Sequence, residues 1–167
     1  YGNTDFPAVY QLVTPTTLGE GETSDAHYFQ TIIDGAKTYR ISGQRGEAPY
    51  IEFTVYAGKI GLDSTSAQVS AITEVDLKVE PDGTYELMLS PEPQSGNWIR
   101  TTPEASVVFI RQYAHDWSKT RDATFNIERI GAVGERPPLT LAEVNRAMQR
   151  TSAYVARSVN IWKAIVD

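Results

Sequence analysis

The order of apolar and polar positions predicts a chain that is mainly β-strand. The clearest alternation covers residues 49–57, where apolar and polar side chains exchange at every step, as in a strand with one buried face. Residues 106–117 predict a long strand that is apolar on both faces at its start, which is typical of a strand covered on both sides. Six further runs predict strands: 29–33, 37–42, 75–79, 84–90, 97–100 and 123–130.

Turn-forming residues separate these runs. Asp34-Gly35 predicts a hairpin between the first two strands, and Pro81-Asp82-Gly83 predicts a second hairpin. Residues 58–71, rich in Gly, Ser and Thr, predict a loop or a weak edge strand. About eight short strands joined by such turns are typical of a jelly-roll-like antiparallel β-sandwich rather than a βαβ fold. A closed barrel is the alternative.

The chain ends in a predicted long amphipathic helix. Thr140, followed three residues later by Glu143, matches the capping-box pattern of a helix start. Apolar side chains then recur at helical spacing at Leu141, Val144, Met148, Val155, Trp162 and Ile165. These features divide the chain into an irregular segment at 1–26, a β-sandwich at 27–131, a linker at 132–139 and a helix at 140–167.

Composition narrows the possible functions. The 167 residues fit one domain, and a domain of this length buries roughly 70% of its unfolded surface. The absence of cysteine excludes disulfides, thiolate nucleophiles and the usual structural zinc sites. The net charge is -6, and an acidic chain repels polyphosphate unless its cations gather on one face. Because the arginines are spread along the sequence, we expect no nucleic-acid partner.

The sequence carries no recognisable membrane or export signal. No apolar run reaches the ~20 residues needed to cross a bilayer, and no signal-peptide pattern opens the chain. The chain does not begin with methionine, so a targeting signal further upstream would lie outside it. A cytoplasmic location is slightly favoured, and the compartment otherwise stays open.

Metal and cofactor chemistry is not expected. His27 and His115 are the two histidines, whereas a zinc site usually takes three or four His or Cys ligands. Asp116 directly follows His115 and would point to the opposite face of a strand, so the pair lacks the spacing of an iron site. Nucleophile and phosphate-loop motifs are absent. The sequence leaves open whether the protein is an enzyme.

The strongest candidate site lies on the predicted strand 106–117. Arg111, Tyr113 and His115 alternate along it and therefore share a face. An arginine, a phenol and an imidazole in a row are suited to an anionic or polyhydroxylated ligand. Glu52 is a candidate acid or base if it faces a cavity, and Trp98 is a candidate stacking wall.

Two further tyrosines, Tyr50 and Tyr56, are also candidate stacking walls. The structural alternative is that Arg111 pairs with Glu128 or Glu86 while Tyr113 packs in the sandwich. Under that alternative the row of polar side chains would hold strands together and bind no ligand.

Two motifs resemble a known family. Gly96-Asn97-Trp98-Ile99 and the later Ile110-Arg111-Gln112-Tyr113 are similar to the Asn-Trp-Leu and Arg-x-Tyr segments of the bacterial family called domain of unknown function 1214. The resemblance covers about residues 24 to 130. It implies a jelly-roll-like β-sandwich and no established activity. The family's proline after Arg-x-Tyr-x is replaced by Ala114-His115-Asp116 in this chain.

Three functional hypotheses follow. The first is a β-sandwich module that binds a small polar or carbohydrate-like ligand, or a partner domain. The second is an enzyme acting on a carbohydrate or other polyhydroxylated substrate, with the candidate residues in its cavity. The third is an architectural role, in which the C-terminal helix forms an oligomer or docks on a missing N-terminal region of the same protein.

Overall fold

The computed structural model describes residues 2–14, 16, 23–58 and 67–166. Within them lie nine strands and one helix. The strands are β1 (Tyr10–Gln11), β2 (Ala26–Ile32), β3 (Tyr39–Gln44), β4 (Tyr50–Ala57), β5 (Ala67–Thr73), β6 (Thr84–Ser90), β7 (Trp98–Arg100), β8 (Ala105–Tyr113) and β9 (Asn126–Arg129). The helix is α1 (Leu141–Val166).

The strands form two sheets that share one core, which confirms the prediction of a mainly β, sandwich-like fold with a C-terminal helix. The five-stranded sheet has the order β1-β2-β8-β4-β5, and the four-stranded sheet has the order β7-β6-β3-β9. All neighbours are antiparallel except β6 and β7, which are parallel. Apolar side chains from both sheets, such as Phe53 and Ile110 from one and Tyr39 and Leu87 from the other, meet in the buried core.

Strand β8 lies at the centre of the five-stranded sheet, between β2 and β4. Its even-numbered side chains, Val108, Ile110 and Gln112, are fully buried towards the core. Val107 is also buried on the opposite face. This double coverage explains why the strand begins with an unbroken apolar run. The strand ends at Tyr113, earlier than the predicted residue 117.

The predicted hairpin at Asp34-Gly35 is wrong. Strand β2 belongs to the five-stranded sheet and β3 to the four-stranded sheet, so the segment between them carries the chain from one sheet to the other. The Gly35 N–H donates to the carbonyl of Ala105 at 2.9 Å. A Cβ at position 35 would stand 1.9 Å from the Thr102 oxygen, so this glycine is required by a close backbone approach.

Two weaker predictions have mixed outcomes. Residues 67–73 form the edge strand β5, as the edge-strand interpretation of 58–71 allowed, and residues 59–66 lie outside the described residues. Residues 75–79 do not form a strand. Gly83 closes a turn with a φ of 84°, and Glu80 N–H bonds to the carbonyl of Thr84 at 2.8 Å. The turn is therefore present, but it joins an irregular segment to β6.

The two ends of the chain also refine the predictions. The segment predicted to be irregular contains the short strand β1, which pairs with β2. At the other end the predicted capping box is confirmed: Thr140 N–H donates to Glu143 Oε2 at 2.7 Å, and Glu143 N–H donates to Thr140 Oγ1 at 3.3 Å. Among the described residues no helix combines the length and apolar character needed to cross a membrane.

Candidate functional site

The outer face of the five-stranded sheet gathers aromatic and charged side chains. The sheet register places Tyr28, Arg111 and Glu52 side by side on β2, β8 and β4. Tyr50 pairs with Tyr113 two residues further along the strands. We call this surface the tyrosine face, and its members are Tyr28, Tyr50, Glu52, Tyr56, Phe109, Arg111 and Tyr113.

An ion pair lies at the centre of the tyrosine face. Arg111 Nη1 is 3.0 Å from Glu52 Oε2, and the two side chains are 28% and 16% exposed. The other carboxylate oxygen accepts a hydrogen bond from Thr54 Oγ1 at 2.7 Å. Arg111 Nη2 reaches the Tyr56 hydroxyl at 3.5 Å, and the guanidinium carbon is 5.8 Å from the centre of the Phe109 ring. The pair is thus held on both sides while part of it stays open to solvent.

Both members of the pair are charged at neutral pH. Burial raises the pKa of Glu52, but hydrogen bonds from Thr54 and Arg111 and the positive charge of Arg111 outweigh it, so the pKa lies below its ordinary value. Burial also opposes the charge of Arg111. The hydrogen bonds to Tyr56 and Glu52 and the negative charge of Glu52 nevertheless raise the pKa of Arg111. The site therefore presents a guanidinium and a carboxylate together.

Tyrosine side chains pack against each other beside the pair. The hydroxyls of Tyr28 and Tyr113 are 3.4 Å apart. The rings of Tyr50 and Tyr113 meet edge to face with their centres 5.5 Å apart. The hydrogen bond to Tyr113, followed by burial, raises the pKa of Tyr28, so its phenol stays protonated at neutral pH. These phenols can both donate and accept hydrogen bonds.

A small hollow adjoins the tyrosine face at the end of β8. Its volume is about 300 Å³, and it is lined by Asp25, Pro49, Tyr50, Tyr113, Ala114 and His115. His115 lies beyond the last residue of β8 and is exposed. The predicted longer strand would place His115 in one row with Arg111 and Tyr113. Because β8 ends at Tyr113, His115 instead lines the hollow.

Trp98 lies elsewhere. It belongs to β7 in the four-stranded sheet, and its indole Nε1 donates to Ser90, at 3.2 Å from the carbonyl oxygen and 3.1 Å from Oγ. The structure thus brings Glu52, Arg111 and Tyr113 together, with His115 at the edge, and leaves Trp98 in the other sheet. A stacking role for Trp98 in this site is excluded by that placement.

The alternative partners of Arg111 belong to another arginine. Arg40, on the outer face of the four-stranded sheet, bonds to Glu86 at 3.0 Å and to Glu128 at 2.7 Å. Among the described residues, each sheet thus carries an arginine that bridges neighbouring strands. The pair at Arg111 is the more buried of the two.

Tyr28 and Asp25 were not among the residues predicted for the site. The predicted first strand began at Phe29, whereas β2 begins at Ala26. The alternation of outward positions at Tyr28 and Gln30 is the sequence signal for this part of the strand, and the irregular sequence before it weakens that signal.

The other histidine, His27, pairs with Asp122 at 3.1 Å and stacks on Trp117. Within the described residues no group of three His, Asp or Glu side chains is placed to hold a metal ion.

The fold places this chain in the class of β-sandwich-like domains, here with a helix at the C-terminal end. The chain belongs to the family described as protein of unknown function DUF1214, whose model matches residues 23–116. This confirms the family resemblance. No protein with a curated description matches the chain.

Solved structures that are similar to this chain include two from bacteria. An uncharacterised protein from Burkholderia cenocepacia has 27% sequence identity and a TM-score of 0.86 over 93% of this chain and 43% of its own. The VPA0106 protein from Vibrio parahaemolyticus has 14% identity and a TM-score of 0.50, over 64% of this chain and 31% of its own. The chain thus spans less than half the length of each. The second likeness supports the fold alone.

Proposed function

We propose that this chain is a non-catalytic binding module whose tyrosine face holds a small polyhydroxylated ligand of carbohydrate type. The observation that carries the proposal is the half-buried Arg111–Glu52 pair among phenol groups on one sheet face. Neighbouring hydroxyls of such a ligand can accept from the guanidinium and donate to the carboxylate. The flat tyrosine rings offer apolar surface for the C–H face of a sugar ring.

The dimensions and the charges fit such a ligand. The adjoining hollow, at about 300 Å³, lies at the lower end of the range of small-molecule sites. Its walls combine Tyr50 and Tyr113 with the polar side chains of Asp25 and His115. Because Arg111 neutralises Glu52, the centre of the face carries no net charge, which suits a neutral polyol better than a strongly ionised molecule.

The electrostatics favour binding over the enzymatic alternative. A carboxyl group that serves as a general acid near neutral pH needs a raised pKa. The pKa of Glu52 is lowered, and one of its oxygens is engaged by Arg111 and the other by Thr54. Glu52 is therefore better placed to accept hydrogen bonds from a ligand than to deliver a proton.

The experiment is a thermal-shift screen of the purified chain against neutral sugars, polyols, sugar acids and organic acids, with hits confirmed by calorimetry. A ligand at 100 times its Kd adds ~2.7 kcal/mol of stability, which is readily visible. Tyr113→Phe removes one hydroxyl and leaves the ion pair in place. We expect Tyr113→Phe and Arg111→Ala each to lower the affinity for a true ligand of this site.

Arg40→Ala is the matched control, because it removes a strand-bridging arginine from the other sheet. It should leave the affinity unchanged. The proposal would be contradicted if no compound binds. It would also be contradicted if Arg40→Ala lowers the affinity for a hit as much as Arg111→Ala does. Conversion of a bound hit to product would instead support the enzymatic alternative.

A further inference from the structure

Helix α1 carries an apolar stripe that the rest of the described chain leaves uncovered. Leu141, Met148 and Val155 are 77%, 65% and 55% exposed, and Val144 and Val159 on the same side are also exposed. A helix in water is stabilised chiefly by packing its apolar side against another surface. The stripe therefore identifies an interaction surface.

The stripe follows a seven-residue repeat. One set of positions recurs every seven residues, and a second set follows each of them by three. The first set is Leu141, Met148, Val155 and Trp162, and the second is Val144, Thr151, Ser158 and Ile165. This is the a and d spacing of a helix that pairs with another helix. Two members of the second set, Thr151 and Ser158, are hydroxyl residues, so they interrupt the apolar series with small uncharged residues.

The charges of α1 all lie away from this seam. Its five charged residues occupy only the b, c and f positions of the repeat: Glu143, Arg146, Arg150, Arg157 and Lys163. The e and g positions beside the seam are uncharged. Two copies of α1 can therefore meet along their seams without placing like charges against each other. A helix suited to an acidic groove would instead carry its cations beside the seam.

The distribution of charge between α1 and the rest of the chain favours an antiparallel direction for a helix pair. Four cations and one acidic residue give α1 a charge of +3. Because the whole chain carries -6, the residues outside α1 carry a net charge of -9. The N-terminal end of α1 is the end connected to the sandwich. In an antiparallel pair, the two acidic sandwiches lie at opposite ends, and each basic C-terminal half approaches the partner's sandwich. A parallel pair would place both acidic bodies together.

We propose that two copies of this chain associate through α1 as an antiparallel, two-fold symmetric helix pair. Aligning the a positions of one helix with the d positions of the other places Leu141 opposite Ile165 and Val144 opposite Trp162. The 26 residues of α1 extend ~39 Å, so the seam is long enough for about three and a half repeats. The tyrosine face lies on the sandwich, outside this seam, and the pairing does not depend on its ligand.

The first test is sedimentation of the full chain over a range of concentrations. We expect twice the 18.5 kDa mass of one copy. Met148→Lys and Val155→Lys place a charge in the seam and should weaken association about a hundredfold or more. Ala153→Lys adds the same charge at an f position on the opposite side and should leave the dimer intact.

A wild-type chain that stays at 18.5 kDa at every concentration would overturn the proposal, as would a dimer that survives both seam variants. Circular dichroism checks that the sandwich stays folded in each variant. Binding of a monomeric chain to anionic lipid vesicles would likewise overturn it and assign the stripe to a membrane surface.

The absence of cysteine allows the direction of pairing to be tested separately. Val144→Cys and Trp162→Cys are prepared as single variants, mixed and oxidised. An antiparallel pair gives disulfides between the two different variants, because positions 144 and 162 face each other. Disulfides that join identical variants would show a parallel pair and overturn the proposed arrangement.

Discussion

Glu52 on β4 and Arg111 on β8 occupy paired positions in the sheet, and their side chains form an ion pair 3.0 Å long. On the opposite sheet, Arg40 bridges Glu86 and Glu128 in a more exposed setting. The same combination of residues thus occurs on both outer faces at different burial. We therefore expect the stability of the five-stranded sheet to depend more on Arg111 than that of the four-stranded sheet depends on Arg40.

We expect Arg111→Ala to lower the free energy of unfolding by about 2 kcal/mol, because it leaves Glu52 partly buried without its partner. Arg40→Ala should cost clearly less than Arg111→Ala, because exposed ion pairs contribute little to stability. Urea denaturation at neutral pH measures both losses from the shift in midpoint at constant slope. Equal losses in the two variants would show that the difference in burial does not change how much the two ion pairs contribute to stability.

The Glu52–Arg111 pair also predicts an acid-sensitive component of stability. The pKa of Glu52 is lower in the folded chain than its ordinary value of 4.5. The contribution is therefore fully present above pH 4.5 and is lost as the pH falls through the folded-state pKa. We expect Glu52→Gln to reduce the loss of stability below pH 4.5, measured by urea denaturation at several pH values. The stability lost in Arg111→Ala should also be smaller in acid than at neutral pH. An acid dependence identical to that of the wild type in Glu52→Gln would assign it to other carboxylates.

The sequence predicted the two-sheet fold because its strands are strongly patterned, but neither of its two predicted hairpin pairings forms. Residues 49–57 alternate clearly and form β4, and the unbroken apolar run that opens 106–117 forms the doubly covered strand β8 beside it. Asp34-Gly35 has the composition of a hairpin turn, yet it connects the two sheets. A turn sequence specifies a local change of direction. The contacts of Gly35 with the distant residues Thr102 and Ala105 determine that the chain crosses to the other sheet here.

Gly35→Ala tests this connection. A Cβ at position 35 would stand 1.9 Å from the carbonyl oxygen of Thr102 and 2.6 Å from the Ala105 Cβ, so the backbone must move. We expect a loss of about 3 kcal/mol or more. Gly96→Ala is the control, because a Cβ there meets open space and the φ of 80° costs only about 1 kcal/mol. Thermal unfolding of the two variants gives the comparison, and a milder effect at Gly35 than at Gly96 would contradict the close approach.

The candidate site was partly accessible from the sequence. Alternation along one strand placed Arg111 and Tyr113 on the same face, and alternation along another placed Glu52 outward. Trp98 has no such relationship to them in sequence, and it lies in the other sheet. Strand pairing across long sequence separations decides such neighbours, and one sequence does not reveal the register between strands.

Asn97, which precedes Trp98 in the family-like motif, holds the irregular segment around Lys78 against β6. Its amide nitrogen donates to the carbonyls of Lys78 and Glu86, both at 2.8 Å, and its oxygen accepts from Lys78 N–H at 2.7 Å. The side chain thus ties residue 78 to β6, where 75–79 forms no strand. Asn97→Asp keeps the shape but loses both donations and sets a carboxylate against two carbonyls.

We expect Asn97→Asp to lower the free energy of unfolding by about 2 kcal/mol, at least as much as Asn97→Ala, because a charged acceptor faces acceptors. Gln94→Ala, in the same loop, should have little effect because Gln94 is exposed and makes one long hydrogen bond of 3.3 Å. Hydrogen exchange of the Lys78 amide should also accelerate in Asn97→Ala, since its acceptor is lost. If this amide kept its wild-type protection in Asn97→Ala, the segment would be held by contacts other than Asn97, and the motif residue would need another explanation.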